Sequence, residues 1–214
     1  MASSDEPRGG PPAAVEDADP GVSRRSFLKS VGVTGVVAGV VAEAAPAAQA
    51  PAPSAVGPGE VSVTLTVNGT KRTLKVEPRV TLLDALRNRL DITGLKRVCD
   101  RGTCGACTAV VDGRTAYTCS MLAIEAQGKD IRTIEGLSDG TVLHPVQQAI
   151  LEHDGTMCGF CTPGFVMSAV AFLQAHPSPT AEQAREALDG NICRCGTYNR
   201  LLDALLQVKG GSRG

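Results

Sequence analysis

Alternating apolar and polar residues from position 61 onwards predict a β-hairpin about a third of the way along the 214-residue chain. In VSVTLTV, residues 61–67, every second residue is apolar, as in a strand with one buried face. Asn68-Gly69 is a strong signal for a tight turn, and residues 73–76 would form the return strand. The first structural unit after the N-terminal region is therefore a pair of antiparallel strands.

The next segments predict a helix and three more strands. TLLDALRNRLDITG has leucines at near-helical spacing, with Thr81 as the N-cap and Gly94 as the stop signal. TAVVDG and RTAYTC would be short strands joined at Asp112-Gly113, and DIRTIEGL would be the last strand. The order β-β-α-β-β-β predicts a small mixed sheet packed on one helix.

Helical spacing replaces strand alternation after Gly140. Four segments carry it, VLHPVQQAILEH, GFVMSAVAFLQAH, TAEQAREALDG and YNRLLDALLQVKG. Thr180 and Gln183 form a capping box, and Gly190 and Gly210 are stop signals. We therefore predict an α+β chain with three parts, namely a mixed-sheet domain at 61–138, an all-α domain of four helices at 139–209 and a tail at 210–214.

The N-terminal fifty residues have the pattern of an export signal. A Pro-, Gly- and Asp-rich start is followed by Arg24-Arg25, an apolar run at 31–42 and the small-x-small site Ala48-Gln49-Ala50. The arginine pair resembles a twin-arginine signal, and an uncleaved anchor or a chance pair in a Sec signal are the alternatives. We interpret residues 1–50 as a twin-arginine signal with a disordered start and 51–60 as a linker.

This interpretation bears on the cysteines. The twin-arginine translocase moves proteins that are already folded, often with cofactors inserted, whereas a Sec substrate would meet an oxidising compartment with its thiols exposed. We therefore expect a periplasmic protein whose cofactor is assembled in the cytoplasm.

Composition and charge exclude some classes of function. The formal net charge is −1, and no basic patch with interleaved aromatic residues is present, so we expect no nucleic-acid partner. The three histidines, His144, His153 and His176, fit surface or helix-capping roles. No Ser-His-Asp or paired-carboxylate arrangement indicates an unaided hydrolase.

The first four of the eight cysteines have the spacing of an iron–sulfur loop. Cys99, Cys104 and Cys107 are separated by four and two residues, which is the plant-type [2Fe–2S] spacing, and Cys119 follows on the next hairpin. Gly102 and Gly105 would allow the loop to curl with positive φ, and its amides could then point at the cluster. Arg101 could offset negative charge. Zinc or disulfides are the alternatives for this set.

The second four cysteines indicate a metal site in the helical part. Cys158 and Cys161 open one helix in MCGFCTPG, and Cys193 and Cys195 open another in NICRCGTY. Helix N-termini suit thiolates, because their free amides and positive dipole end favour negative charge. Cys193 and Cys195 are too close to form a disulfide with each other without severe strain. The spacing favours a metal without choosing one.

Together, the motifs CDRGTCGACTAVVDG, HPVQQAI, MCGFCTPGF and GNICRCGTY resemble the small iron–sulfur subunit of the molybdenum hydroxylases, the family of xanthine dehydrogenase and aldehyde oxidoreductase. The resemblance covers residues ~60 to 209. It implies a β-grasp ferredoxin-like domain followed by a four-helix domain, with one [2Fe–2S] cluster in each. The leader resembles that of the periplasmic aldehyde oxidoreductase branch.

The same resemblance implies a function and partners. The chain would be the electron-transfer subunit of an oxidoreductase and would itself lack the substrate site. A large partner subunit would hold the molybdopterin cofactor, and a flavin (FAD) subunit or a cytochrome c would accept the electrons. The helical-domain cluster would lie next to the pterin, with the Cys195 sulfur as a possible pterin contact. A free-standing periplasmic ferredoxin and a disulfide-bonded secreted module are the alternatives.

One position departs from the family pattern. The family usually has Gln before Cys-Gly-Phe-Cys, near the pterin, where this chain has Met157. A thioether cannot replace the donors of an amide. Either a neighbour supplies that contact, with Gln147 and Gln148 nearby in sequence, or the molybdopterin lies differently.

Overall fold

The computed structural model describes Arg25 and residues 57–208. The predicted signal, except for Arg25, most of the predicted linker and the tail at 210–214 lie outside the described residues. No described helix is long and apolar enough to span a membrane.

The first half of the described chain is a five-stranded mixed sheet with one helix. The strands are β1 (Val61–Val67), β2 (Thr70–Val76), β3 (Thr108–Val111), β4 (Arg114–Tyr117) and β5 (Asp130–Arg132), and the helix is α1 (Leu82–Arg89). The strand order is β2-β1-β5-β3-β4, in which β1 and β5 are parallel and the other neighbours antiparallel. Apolar residues of the sheet and α1 share one core, so the predicted element order and the α+β class are confirmed.

Both predicted hairpins form at the predicted turn residues. Asn68 and Gly69 have φ of 49° and 76°, and Asp112 and Gly113 have φ of 48° and 78°. Positive φ at both central residues is what the type I′ turn of a two-residue hairpin requires.

The α1 helix begins as predicted but ends earlier. Thr81 is its N-cap, and the Thr81 hydroxyl accepts from the Asp84 amide. The prediction that Gly94 stops the helix is wrong, because Leu90 caps it and Asp91 turns the chain with φ 54°. The Gly94 amide instead donates to Glu135, at 2.6 Å.

The last strand is also shorter than DIRTIEGL. Strand β5 stops at Arg132, and a short 3₁₀ turn follows at Ile134–Gly136. Strand pairing ends here because the Thr133 amide donates to the Asn68 side chain, at 2.9 Å, and not to a neighbouring strand.

The second half contains the four predicted helices. They are α2 (Pro145–Glu152), α3 (Thr162–Ala175), α4 (Ala181–Leu188) and α5 (Tyr198–Gln207). The Thr180–Gln183 capping box is present, and α4 ends two residues before Gly190. Helix α3 is apolar over nearly its whole circumference, because it packs against α4 and α2 and also against β3.

Candidate iron–sulfur sites

The first cysteine set lies on a curled loop between α1 and β3. Gly102 and Gly105 have φ of 70° and 69°, as the spacing predicted. Both also allow close approach, since a methyl group on Gly102 would lie 2.8 Å from the Ser120 hydroxyl oxygen. The loop therefore depends on glycine at both positions, and it buries Cys104 and Cys107 almost completely.

Backbone amides in this loop point at cysteine sulfurs. The Thr103 amide lies 3.4 Å from the Cys99 sulfur, and the Gly102 amide lies 3.3 Å from the Cys119 sulfur. Such donors stabilise negative charge on the sulfur. The amides are thus placed to stabilise negative charge on the Cys99 and Cys119 sulfurs when these bind iron.

The four thiols of this set meet in two pairs, Cys99 with Cys104 and Cys107 with Cys119. Burial opposes the charged form of Cys99, but the Arg101 and Thr103 amides outweigh it and lower the Cys99 pKa to about 6. Burial raises the pKa of Cys107 to about 11. A bound cation would be needed to deprotonate Cys107 at neutral pH.

The second set stands where α3 and α5 begin. Cys161 is the N-cap of α3, while Cys193 and Cys195 lie just before Thr197, the N-cap of α5. Cys193 is buried, whereas Cys158 and Cys195 are exposed. This site therefore has a buried side and an open side.

The second set also meets in pairs, Cys158 with Cys195 and Cys161 with Cys193. Burial raises the pKa of Cys161 to about 12. Burial would also raise the pKa of Cys193, but hydrogen bonds from Thr197 outweigh it and lower the Cys193 pKa to about 7. The Thr197 hydroxyl oxygen lies 3.2 Å from the Cys193 sulfur. A hydrogen bond from the Phe160 amide, followed by the Cys195 thiol, lowers the Cys158 pKa.

The donor sets suit a two-iron cluster. No three His, Cys, Asp or Glu side chains in the described ranges are grouped around one metal ion. Each set instead presents two pairs of free thiols, and a [2Fe–2S] cluster takes two thiolates on each iron.

The remaining predicted residues are placed as follows. Arg101 donates to the Cys99 carbonyl, at 3.3 Å, so it braces the loop backbone. The capping predictions for the histidines are confirmed, since His144 is the N-cap of α2, and His153 and His176 follow the ends of α2 and α3. His144 is buried, and its Nε2 has no hydrogen-bond partner among the described residues.

The two glutamines near Met157 in sequence are already engaged. Gln147 accepts from the His144 amide as part of a capping box, and Gln148 donates to Glu152, at 2.9 Å. Met157 itself is 65% exposed.

Exposed apolar side chains adjoin the cysteines of the second site along the chain. We define this apolar rim as Met157, Phe160, Ile192 and Tyr198, whose exposed fractions are 65, 51, 49 and 44%. A cluster of large exposed apolar side chains is typical of a surface that another protein covers.

Three polar residues near the cysteines carry no signal that the spacing analysis used. Tyr117 and Asn191 join the two cysteine loops, and Thr197 donates to or accepts from the Cys193 sulfur. Asn191 stands in the GNICRC motif, but only its tertiary contacts show what it does.

Comparisons with known proteins place both cysteine sets in iron–sulfur domains. Residues 65–138 match a family described as "2Fe-2S iron-sulfur cluster binding domain", and residues 133–206 match one described as "[2Fe-2S] binding domain". The chain is thus a protein with two [2Fe–2S]-binding domains.

Similar proteins are small subunits of oxidoreductases. The nicotine 6-hydroxylase small subunit of Paenarthrobacter nicotinovorans is 48% identical over 150 residues, which are 70% of this chain and 90% of that one. The aldehyde oxidoreductase iron-sulfur-binding subunit PaoA of Escherichia coli (strain K12) is 40% identical over 210 residues, 91% of each chain. In the solved structure of quinoline 2-oxidoreductase from Pseudomonas putida 86, the matching chain is 40% identical with a TM-score of 0.67, covering 69% of this chain and 91% of that one.

The chain belongs to the small iron–sulfur subunit family of the molybdenum hydroxylases. It is an electron-transfer subunit of an oxidoreductase, as the motif resemblance implied.

Proposed function

We propose that this chain holds two [2Fe–2S] clusters and relays single electrons between a large molybdenum-cofactor subunit and a further acceptor. Two ligand sets of four thiols each would hold the clusters, Cys99, Cys104, Cys107 and Cys119 for one, and Cys158, Cys161, Cys193 and Cys195 for the other. The observation that carries the proposal is the pairing of the four thiols within each set, together with the contact between the Cys104 and Ile192 segments of the two sets. When bound, the clusters supply one-electron redox chemistry.

The contacts at the sulfurs support clusters over disulfides. All eight cysteines are free, and backbone amides of Gly102, Thr103 and Phe160 approach sulfurs of the two sets. Disulfide sulfur gains little from such donors, whereas thiolates bound to iron are stabilised by them.

The apolar rim supports a partner subunit over a free-standing carrier. Its four residues lie within three sequence positions of a cysteine of the second set, in which Cys158 and Cys195 are exposed. A free carrier that meets partners briefly would leave this apolar surface in water, but a permanent large subunit would cover it. We therefore assign the rim to the large subunit and make the second set the inner site. Cys195 would lie at this interface, where its sulfur can contact the pterin.

The first set would then be the outer site, nearer to the acceptor. Its sulfurs are more shielded, since Cys104, Cys107 and Cys119 are buried. Electrons would leave from this side to an FAD subunit or a cytochrome c. The substrate is chosen in the large subunit.

We also propose export by the twin-arginine translocase and a periplasmic location. The support is the Arg24-Arg25 pair with its apolar run and the Ala48-Gln49-Ala50 site. The Escherichia coli relative aligns over 91% of this chain, so that alignment must include part of residues 1–50.

Substitution of one ligand from each set tests the assignment. The wild-type complex should contain about four irons in this chain, and Cys104→Ser should remove one of two paramagnetic signals. Cys195→Ala should stop substrate from reducing the outer cluster while a small chemical reductant still reduces it. Cys107→Ala should leave the inner cluster reducible by substrate and abolish turnover with the natural acceptor.

The cluster signals and their reduction are measured by rapid-freeze electron paramagnetic resonance (EPR), after each variant complex has been checked for intact assembly. Retention of both signals in Cys104→Ser would refute the first ligand set. Normal reduction of the outer cluster by substrate in Cys195→Ala would refute the order of the two sites.

A further inference from the structure

The backbones of the two cysteine loops touch at one point. The Ile192 amide donates to the Cys104 carbonyl, at 2.9 Å. Cys104 belongs to the first set, and Ile192 immediately precedes Cys193 of the second. One hydrogen bond therefore connects a cysteine of each set through a few covalent bonds of backbone.

Asn191 braces this point from the buried side. Its side-chain Nδ2 donates to the Gly105 carbonyl at 3.0 Å, and its Oδ1 accepts from the Ser168 hydroxyl at 2.7 Å. The orientation is unambiguous, because only the amide nitrogen can face a carbonyl oxygen. Asn191 is 4% exposed, so both bonds are shielded from water and are costly to leave unmade.

Tyr117 braces the same point from the β4 side. Its hydroxyl donates to the Gly190 carbonyl at 2.9 Å, next to Asn191. Gly190 and Gly105 have no side chain to hold the loops apart, and a methyl group on Gly105 would lie 2.5 Å from the Asn191 Nδ2. The two loops are therefore as close as backbone contact allows.

We propose that Asn191 and Tyr117 are positioning residues that clamp Cys104 against Ile192 and thereby fix the separation of the two sulfur sites. The inference rests on the proposed two-cluster function. Electron transfer and magnetic coupling both fall steeply with distance, so a clamp of this kind would set the rate between the sites.

The decisive variant is Asn191→Asp in the full complex. It keeps the side-chain size and the acceptor for Ser168, but it places an acceptor oxygen against the Gly105 carbonyl and removes the donor. Tyr117→Phe removes one hydroxyl and keeps the ring. Thr133→Val is the matched control, because Thr133 is fully buried and hydrogen-bonded to Asn68 and Glu135, away from both cysteine loops.

Two measurements report on the clamp without activity. Hydrogen exchange followed by mass spectrometry reports the protection of the peptide containing Ile192. EPR of the fully reduced complex reports the splitting that arises from coupling between two reduced clusters. We expect Asn191→Asp to lose protection and most of the splitting, Tyr117→Phe to show a smaller decrease of both, and Thr133→Val to match wild type in both.

The outcomes separate this inference from the proposed function. A wild-type complex with only one cluster signal would overturn the two-cluster function. Two signals in wild type, with unchanged splitting and unchanged protection in Asn191→Asp, would overturn the clamp alone. If Asn191→Asp fails to assemble, Tyr117→Phe decides, and wild-type splitting and protection in that variant overturn the clamp. The same decreases in Thr133→Val would also overturn it, since they would reflect general destabilisation.

Discussion

A single methyl group added at Gly164 should loosen the contact between the helical part and the first cysteine loop. Gly164 lies in the first turn of α3, where alanine would normally be preferred. In this structure the new methyl would overlap the Gly105 carbonyl oxygen, and it would lie 3.0 Å from the Asn191 Nδ2 and 3.2 Å from the Ala106 Cα. Two of these three neighbours are backbone atoms, which cannot move aside by changing rotamer.

The balance of two effects gives the expected size. Replacing glycine by alanine in a helix interior gains about 1 kcal/mol at most, and less in a first turn. Overpacking a buried site costs about 1–3 kcal/mol, and backbone neighbours on two sides place Gly164→Ala at the upper end. We therefore expect a net loss of about 2 kcal/mol in the free energy of unfolding, which corresponds to a Tm lower by roughly 4–8 °C for a chain of this size.

Thermal and denaturant unfolding of the full chain, loaded with its clusters, measure this loss. Gly59→Ala is the control, because its added methyl would meet no atom within 4 Å and its stability should equal that of wild type. A Gly164→Ala chain as stable as wild type, or more stable, would refute the packing argument, since helix propensity would then have outweighed the contact with Gly105.

The remaining predictions concern other parts of the chain. Thr180→Ala should cost about 1 kcal/mol in denaturant unfolding, because it removes the N-cap of α4; no loss would contradict the capping role. Burial, and then the charge of Arg132, lower the His144 pKa, so the unfolded chain protonates first and stability should fall as the pH drops below about 6.5. His144→Asn should flatten that dependence in unfolding curves. An Arg24→Lys/Arg25→Lys chain should stay in the cytoplasm with its clusters, and normal export would contradict the twin-arginine interpretation.

Local signals in the sequence predicted the secondary structure closely. Asn68-Gly69 and Asp112-Gly113 fixed both hairpins, because glycine with Asn or Asp is preferred where both turn residues need positive φ. Thr81 and Thr180 fixed two helix starts, because a hydroxyl satisfies amides that the helix itself leaves free. These signals act within a few residues, so they can be read along the chain.

The two errors have different physical reasons. Helix α1 ends at Leu90 and Asp91, residues nearer in sequence than the predicted stop at Gly94, whose amide donates to Glu135, 41 positions along the chain. Strand β5 is cut short because Asn68 captures the Thr133 amide. Asn68 lies 65 positions from Thr133, so a local pattern cannot contain this second contact.

The sequence alone indicated an iron–sulfur loop at the first cysteine set, because the spacing sets which thiols a short loop can bring together and Gly102 and Gly105 allow the curl. For the second set the spacing indicated a metal, and the motif resemblance supplied the cluster. The contact between the two cysteine sets is visible only in the tertiary structure. The contact of Cys104 with Ile192, and the bonds of Asn191 and Tyr117 around it, join residues more than seventy positions apart. They follow from the packing of α3 on β3, which buries apolar surface between the two halves, and no spacing along the chain encodes that packing.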